Sequence, residues 1–148
     1  MNSRRQARFW AIQVLYQRSL NSEGALDAAL QEFWDGQETV DDNVKGFSES
    51  LIRGTLAHLG QLDKAVSGYA KNWNIDRIGK IDLAILRLAL FEILYRDDIP
   101  PVASVNEALE LSKLFSTEET VKFVNGILDR ALQDLKRPLR SAADKEES

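Results

Sequence analysis

The feature that most constrains the fold is an almost continuously apolar stretch at residues 81–95, IDLAILRLALFEILY. Its charged residues are Asp82, Arg87 and Glu92, each five residues after the last. At about 100° per residue, this spacing points them in three widely separated directions around a helix, so no side of the helix is wholly polar. A helix that is apolar nearly all round is buried among other helices. We therefore expect residues 81–95 to form the central helix of an all-α domain, with partners for its three charged side chains.

Apolar residues at helical spacing predict further helices on both sides of this stretch. We expect a compact bundle of about seven helices in a single domain over residues 1–138. Capping boxes are predicted at Ser3 with Gln6 and at Ser116 with Glu119. Gly60 is predicted to end the third helix. Residues 139–148 are small and polar, and we expect a disordered tail there. The predicted helices are 3–20, 25–34, 42–58, 61–71, 81–95, 102–115 and 117–135.

The composition argues against catalytic and metal sites. The chain has 148 residues, no cysteine, one histidine and eight scattered glycines. It therefore has no thiolate ligands, no His-rich metal site and no glycine-rich phosphate loop. His58 and the acidic pairs Asp97–Asp98 and Glu118–Glu119 are more simply explained as helix-end residues. We expect no catalytic residue, no metal and no cofactor. We see no signal peptide and no apolar stretch of about 20 residues, and so expect a cytoplasmic protein.

Positive charge is concentrated at the N-terminus of a chain whose net charge is −4. Arg4, Arg5 and Arg8 all precede the first acidic residue, Glu23. Cations in the first turns of a helix oppose its dipole at a cost of about 0.3–1 kcal/mol each. This arrangement suggests that the arginines serve an external anion such as a nucleic-acid phosphate, although an N-terminus that is merely solvated has the same pattern. We expect all three to be exposed, so replacing them together by alanine should abolish most RNA binding and leave folding nearly unchanged.

Three longer motifs, in the same order along the chain, carry a family resemblance. RRQARFWAIQVLYQ at 4–17, WNIDRIGKIDLAILRLALFEILYRDDIP at 73–100 and VASVNEALELSKLFSTEETVKFVNGILDRAL at 102–132 resemble segments of the NusB family of transcription antitermination factors. The resemblance covers about residues 3–136. It implies an all-α fold of two small helical bundles, without catalysis or a cofactor.

The resemblance also implies a function and partners. NusB-like proteins bind the boxA element of ribosomal RNA leader transcripts together with NusE, a small-subunit ribosomal protein. The pair helps RNA polymerase read through terminators within an antitermination complex, and a homodimer is a further expectation. Two alternatives stay open at this point. One is a structural or homodimeric protein-interaction module, and the other is an RNA-recognition domain related to ribosomal RNA methyltransferases.

The resemblance assigns candidate site residues. Those implied for RNA binding are Arg4, Arg5, Arg8, Gln13, Tyr16, Tyr69, Glu119, Lys122 and Phe123. The acidic rim of the central helix suits a basic ribosomal protein, and its predicted contacts are Glu92, Tyr95, Arg96, Asp97 and Asp98. Core packing is the alternative for Tyr16 and Phe123. An internal salt bridge with Arg87 or Arg96 is the alternative for Glu92.

Overall fold

The computed structural model describes residues 1–71 and 75–142, and over these residues the protein is all-α, as predicted. Seven α-helices and one short 3-10 turn, at Ile75–Arg77, make up its regular structure, and the described part contains no β-strand. The helices are α1 (Ser3–Leu20), α2 (Leu26–Asp35), α3 (Asp42–Ala57), α4 (Leu59–Ala70), α5 (Lys80–Tyr95), α6 (Pro101–Phe115) and α7 (Glu118–Asp134).

The predicted helices are confirmed, but several of their ends differ from the prediction. The N-cap of α1 is Asn2, whose Oδ1 accepts a hydrogen bond from the Arg5 amide at 2.8 Å, and not Ser3. Gly60 does not end α3, because α4 starts at Leu59 with only His58 between the two helices.

The cap of α7 also lies one residue later than predicted. Thr117 caps the helix by accepting a hydrogen bond from the Thr120 amide. The hydroxyl of Ser116, the predicted cap, donates to the carboxylate of Asp82 instead.

Helix α5 lies at the centre of the molecule. It packs against α1, α3, α4, α6 and α7, and nine of its 16 residues are buried. Its three charged residues all have partners. Asp82 accepts from Ser116, and Arg87 donates to both carboxylate oxygens of Asp63 at 2.7 and 2.8 Å. Glu92 pairs with a residue of α1 that is described with the site below. The prediction of a central helix with paired charges is confirmed.

Helices α1, α2 and α3 form one small bundle, and α4 to α7 form the other. In the first bundle, the rings of Trp10 and Trp34 meet edge to face, with their centroids 5.4 Å apart. The indole N–H of Trp34 then donates to Glu49 of α3 at 2.7 Å. Because a buried indole needs such an acceptor, this bond orients α2 against α3.

The segment after α7 forms hydrogen bonds to the end of α5 and to the start of α6. The Arg137 guanidinium donates to the carbonyls of Ile93 and Arg96, both at 3.0 Å, at the end of α5 where carbonyls lack helical partners. The Leu139 carbonyl accepts from the Val102 amide at 2.8 Å, so the predicted tail begins with a residue bonded to α6. Residues 143–148 of that tail lie outside the described residues. Among the described helices, none is long and apolar enough to cross a membrane.

One glycine permits the close approach of α3 to α5. A Cβ atom at Gly54 would overlap the Phe91 ring of α5. We expect Gly54→Ala to lower the free energy of unfolding by about 1–3 kcal/mol, because the packed ring has to move. Urea denaturation followed by circular dichroism would measure this change.

Gly46 provides the matched control, because it lies on the same helix and a Cβ there would meet nothing within 4 Å. Gly46→Ala should be neutral or stabilising by up to about 1 kcal/mol. Equal effects of the two substitutions would contradict this account of the α3–α5 contact.

Candidate RNA interface

Two grooves flank the N-terminal end of α5. The first, which we call the α1–α5 groove, has a volume of about 670 Å³. The predicted residues Gln13 and Tyr16 of α1 line it together with Lys80 and Phe115. Lys80 was not predicted from the sequence, although it directly precedes the apolar stretch. Gln17 also lines it, so the groove combines a cation, two amides and two aromatic rings, which are the groups that hold phosphates and unstacked bases.

The second groove, the α5–α7 groove, has a volume of about 280 Å³. Its lining includes the predicted residues Glu119 and Phe123 of α7, and also Arg77, which was not predicted. Lys122 is exposed on α7 beside them. Because Gly79 and Lys80 are adjacent in the chain and each lines one groove, the two grooves lie on either side of the start of α5.

One side of α1 extends the α1–α5 groove toward the N-terminus. Arg5, Phe9, Gln13 and Tyr16 recur at helical spacing and therefore share that side. The Phe9 ring stacks on Phe115, with centroids 5.5 Å apart. Arg5 forms an ion pair with Glu107 at 2.7 Å, and its side chain is 34% exposed. Arg5 is therefore held in place while part of its guanidinium still faces solvent.

Arg4 lies on a different side of α1. Its guanidinium carbon is 4.1 Å from the centroid of the Phe47 ring of α3, a cation–π contact. Arg4 is exposed and forms no ion pair with any residue of the described part. Its charge is therefore available to an external anion.

Arg8 and Glu92 are buried, so the prediction that they lie on the surface is wrong. Their side chains are 5% and 1% exposed. Arg8 donates to the two oxygens of Glu92 at 2.7 and 2.9 Å, and the Ser104 hydroxyl donates to the same carboxylate at 2.8 Å. The internal ion pair considered for Glu92 is present, but its partner is Arg8 of α1 and not Arg87 or Arg96. A signal was available, because Arg8 shares the helical spacing of the buried Ile12 and Leu15.

Tyr69 is not brought together with the two grooves. Its hydroxyl donates to Asp134 at the C-terminal end of α7, at 2.8 Å. Partial burial and this hydrogen bond raise the pKa of Tyr69 above its ordinary value. Glu119 lies at the other end of α7, about 22 Å away along the helix axis at 1.5 Å per residue.

Four of the five residues predicted for a protein partner lie together at the C-terminal end of α5. The Tyr95 ring is 40% exposed and stacks on His58, with centroids 4.0 Å apart. Arg96 pairs with Asp98 at 2.8 Å, and this guanidinium holds the pKa of the Asp98 carboxyl below its usual value. Asp97 is exposed beside them. We call Tyr95–Asp98 the acidic end of α5, which lies about 22 Å along the axis from Lys80.

Among the described residues, these surfaces are not accompanied by a candidate metal centre. His58 Nδ1 lies 2.8 Å from the Gly54 carbonyl oxygen, a hydrogen bond within its own turn of α3. Over the described residues, no cluster of three or more histidine, aspartate or glutamate side chains is placed to hold a metal ion. The surfaces are suited to binding through charge, amides and aromatic rings.

Comparison with known proteins agrees with the resemblance in the sequence motifs. The model of the NusB family matches residues 5–133. The transcription antitermination protein NusB of Methylacidiphilum infernorum is 43% identical over 134 residues, which are 90% of this chain and 93% of that protein. A solved structure of T. maritima NusB is 35% identical with a TM-score of 0.79, and the match covers 88% of this chain and 91% of that one.

A further solved structure extends the comparison of the fold. It contains antitermination factors NusB and NusE in complex with double-stranded RNA. The match has a TM-score of 0.81 at 24% identity, and it covers 91% of this chain and 99% of that one. At this level of identity, the likeness concerns the fold alone.

The buried ion pair between Arg8 and Glu92 predicts that the fold requires Arg8 but not Arg4. Arg8→Ala leaves the Glu92 carboxylate buried without its cation, and we expect a loss of about 3–5 kcal/mol in the free energy of unfolding. The exposed Arg4→Ala should change it by less than about 0.5 kcal/mol. Urea denaturation of the two variants would measure the difference. This outcome replaces the expectation that all three arginines can be removed without harm to folding, and equal stabilities of the two variants would refute it.

Proposed function

The chain belongs to the NusB family, and from this we propose that it is an RNA-binding transcription antitermination factor. In this role it recognises the boxA element of ribosomal RNA leader transcripts together with NusE, and it helps RNA polymerase read through terminators. The observation that carries the proposal is the family match over residues 5–133. We propose that the protein acts in the cytoplasm and that it binds without catalysing a reaction.

The RNA surface that we propose runs along α1 and around the start of α5. Arg5 and Lys80 supply charge for phosphates at the two ends of the α1–α5 groove, and Arg4 adds a third cation on another side of α1, next to Phe47. Tyr16 in the groove is placed to stack on an unpaired base. Gln13 offers both a donor and an acceptor for a base edge. Glu119, Lys122 and Phe123 extend this surface across the α5–α7 groove.

Two of the residues implied for RNA binding have other roles in this proposal. Arg8 does not contact RNA, because its guanidinium is buried against Glu92. It acts by holding α1 on α5. Tyr69 lies at the far end of α7, where its hydroxyl is engaged by Asp134, so it contacts only an RNA long enough to reach across the second bundle.

We propose that NusE binds the acidic end of α5. Asp97 and Asp98 supply negative charge that suits a basic ribosomal protein, and the exposed Tyr95 ring adds apolar area. Glu92 is not part of this surface, because it is 1% exposed. The 22 Å between Lys80 and Tyr95 allows RNA and protein to bind at the same time without competing for side chains.

Self-association is the second candidate function. It is favoured by Leu114, which is 59% exposed at the end of α6, next to the Phe115 ring of the α1–α5 groove. An exposed leucine beside a groove with aromatic lining offers apolar area to a second copy. Sedimentation with and without boxA RNA distinguishes self-association from RNA binding at this groove, since a dimer that buries the groove should dissociate when RNA binds.

The first functional prediction concerns the cations. The triple variant Arg4→Ala, Arg5→Ala and Lys80→Ala should bind a boxA RNA more weakly than the unchanged protein, with and without NusE. Each lost phosphate contact should reduce the slope of log Kd against log salt by about 0.7 for single-stranded RNA. Fluorescence anisotropy over a salt series gives both quantities.

The matched control for this variant is Arg53→Ala, which removes an exposed arginine paired with Asp27 on the α2–α3 side. It should leave affinity and slope unchanged. An unchanged slope in the triple variant would contradict the proposed RNA surface.

The second functional prediction concerns the acidic end of α5. Asp97→Lys should weaken binding of NusE about 5-fold or more, since an exposed attractive charge becomes repulsive. Asp129→Lys makes the same charge change at an exposed position on α7 and should have no effect. Calorimetric titration measures both, and equal affinities would remove this surface from the proposal.

A further inference from the structure

Three side-chain amides form a row along the second half of α1 and its C-cap, Asn21. Gln13, Gln17 and Asn21 are each four residues apart, and all three line a groove between α1 and α2, which we call the α1–α2 groove. The groove has a volume of about 550 Å³, and Gln37 lines its opposite wall. Neither the predicted site residues nor the proposed function accounts for this groove, apart from Gln13 and Gln17, which it shares with the α1–α5 groove.

The side-chain amides that line this groove have donors and acceptors that no residue of the described part uses. Within the described residues, the side chains of Gln13 and Gln17 form no hydrogen bond. Asn21 uses only its oxygen, which accepts from the Glu23 amide at 3.0 Å. Gln37 uses only its nitrogen, which donates to the Phe33 carbonyl at 3.2 Å. Each of the four side chains therefore has a donor, an acceptor or both left for a ligand.

The spacing of the row matches an extended polypeptide. Residues four apart on a helix are about 6 Å apart along its axis. In an extended chain, residues that face the same way recur about every 6.6–6.8 Å. A carboxamide carries both a donor and an acceptor, as a peptide unit does. We propose that the α1–α2 groove binds an extended, basic segment of another protein, with the amide row pairing to its backbone.

The charged residues that line the α1–α2 groove favour a basic protein segment over RNA as its ligand. The groove is lined by two carboxylates, Glu23 and Glu32, and by one guanidinium, Arg18. Arg18 directs its donors to the carbonyls of Glu23 and Gly24, at 3.2 and 3.3 Å. The positive charge of Arg18 is therefore held at one end of the groove. The carboxylates of Glu23 and Glu32 outnumber it, and they repel phosphates and attract lysine or arginine.

The apolar floor of the groove favours a bound segment in which apolar and basic side chains alternate. Phe33 is half-buried and Val14 is buried, so both offer an apolar floor beneath the amide row. Successive side chains of an extended chain point to opposite sides. A segment in which basic and apolar residues alternate would therefore place its apolar side chains on the floor and its basic ones at the acidic rim.

The test uses two pools of capped peptides, each about nine residues long, or about 30 Å when extended. In one pool lysine alternates with a mixture of valine, isoleucine and leucine, and in the other glutamate replaces lysine. The readout is the side-chain NH₂ signals of the protein in nitrogen-15 NMR spectra. We expect the lysine pool to shift the signals of Gln17, Asn21 and Gln37 in a saturable way. The glutamate pool should bind at least about 5-fold more weakly.

Two variants and their controls locate the site. Gln37→Ala removes one hydrogen bond and should weaken binding of the lysine pool about 2- to 10-fold. Gln31→Ala is the control, because that amide donates to Asp35 and does not line the groove. Glu32→Lys should weaken binding about 5-fold or more, whereas Glu38→Lys, just outside the groove, should not.

Several results would overturn the proposal. These are a lack of saturable shifts with the lysine pool, equal binding of the two pools, and equal effects of Gln37→Ala and Gln31→Ala. Shifts of the Asn21 and Gln37 signals, which lie outside the α1–α5 groove, by boxA RNA alone would assign the α1–α2 groove to RNA instead. The peptide results do not bear on the RNA surface proposed above, because the variants leave Arg4, Arg5 and Lys80 in place.

Discussion

The buried ion pair between Arg8 and Glu92 is the interaction on which the functional surfaces depend. It joins α1 to α5, and the Ser104 hydroxyl ties α6 to the same carboxylate. A buried carboxylate is costly without a cation and hydrogen bonds, so only one placement of α1 satisfies all three groups. That placement turns Arg5 and Tyr16 toward the α1–α5 groove. An interaction hidden from solvent thus decides which side chains of α1 reach a ligand.

Helix α5 separates the two surfaces that we propose for RNA and for NusE, one at each of its ends. Its N-terminal end lies between two grooves and carries Lys80, just after Arg77 in the 3-10 turn. Its C-terminal end carries Tyr95 and two aspartates. The apolar part of α5 between its two ends packs against five other helices, so the rigid core of the protein fixes the distance between those ends. Arg137 reinforces the C-terminal end by satisfying carbonyls that the helix itself leaves unpaired.

Sequence patterns predicted the helices well and their caps poorly. Helical periodicity averages over many residues, so the bounds of α1 match the prediction and the others fall within about two residues. A cap depends on one side chain whose hydroxyl or amide has competing partners. Ser116 fits the capping pattern before α7, but its hydroxyl binds Asp82 of α5, and Thr117 caps the helix instead. That competition involves a residue 34 positions away and leaves no local signal.

The sequence by itself determined the all-α class, the central helix and the family, because these follow from periodic apolar residues and from motifs that span the chain. The family resemblance also predicted Gln13, Tyr16, Glu119 and Phe123 as RNA-binding residues, and these line two neighbouring grooves. Only the tertiary structure decided which charges face solvent. Arg5 and Arg8 lie three residues apart in one cluster, yet one is a third exposed and the other is buried. The difference arises because the packing of α1 against α5 and α6 places a carboxylate opposite Arg8. Helical spacing puts Arg8 on the side of Ile12 and Leu15, but it does not encode the partner that allows the charge to be buried.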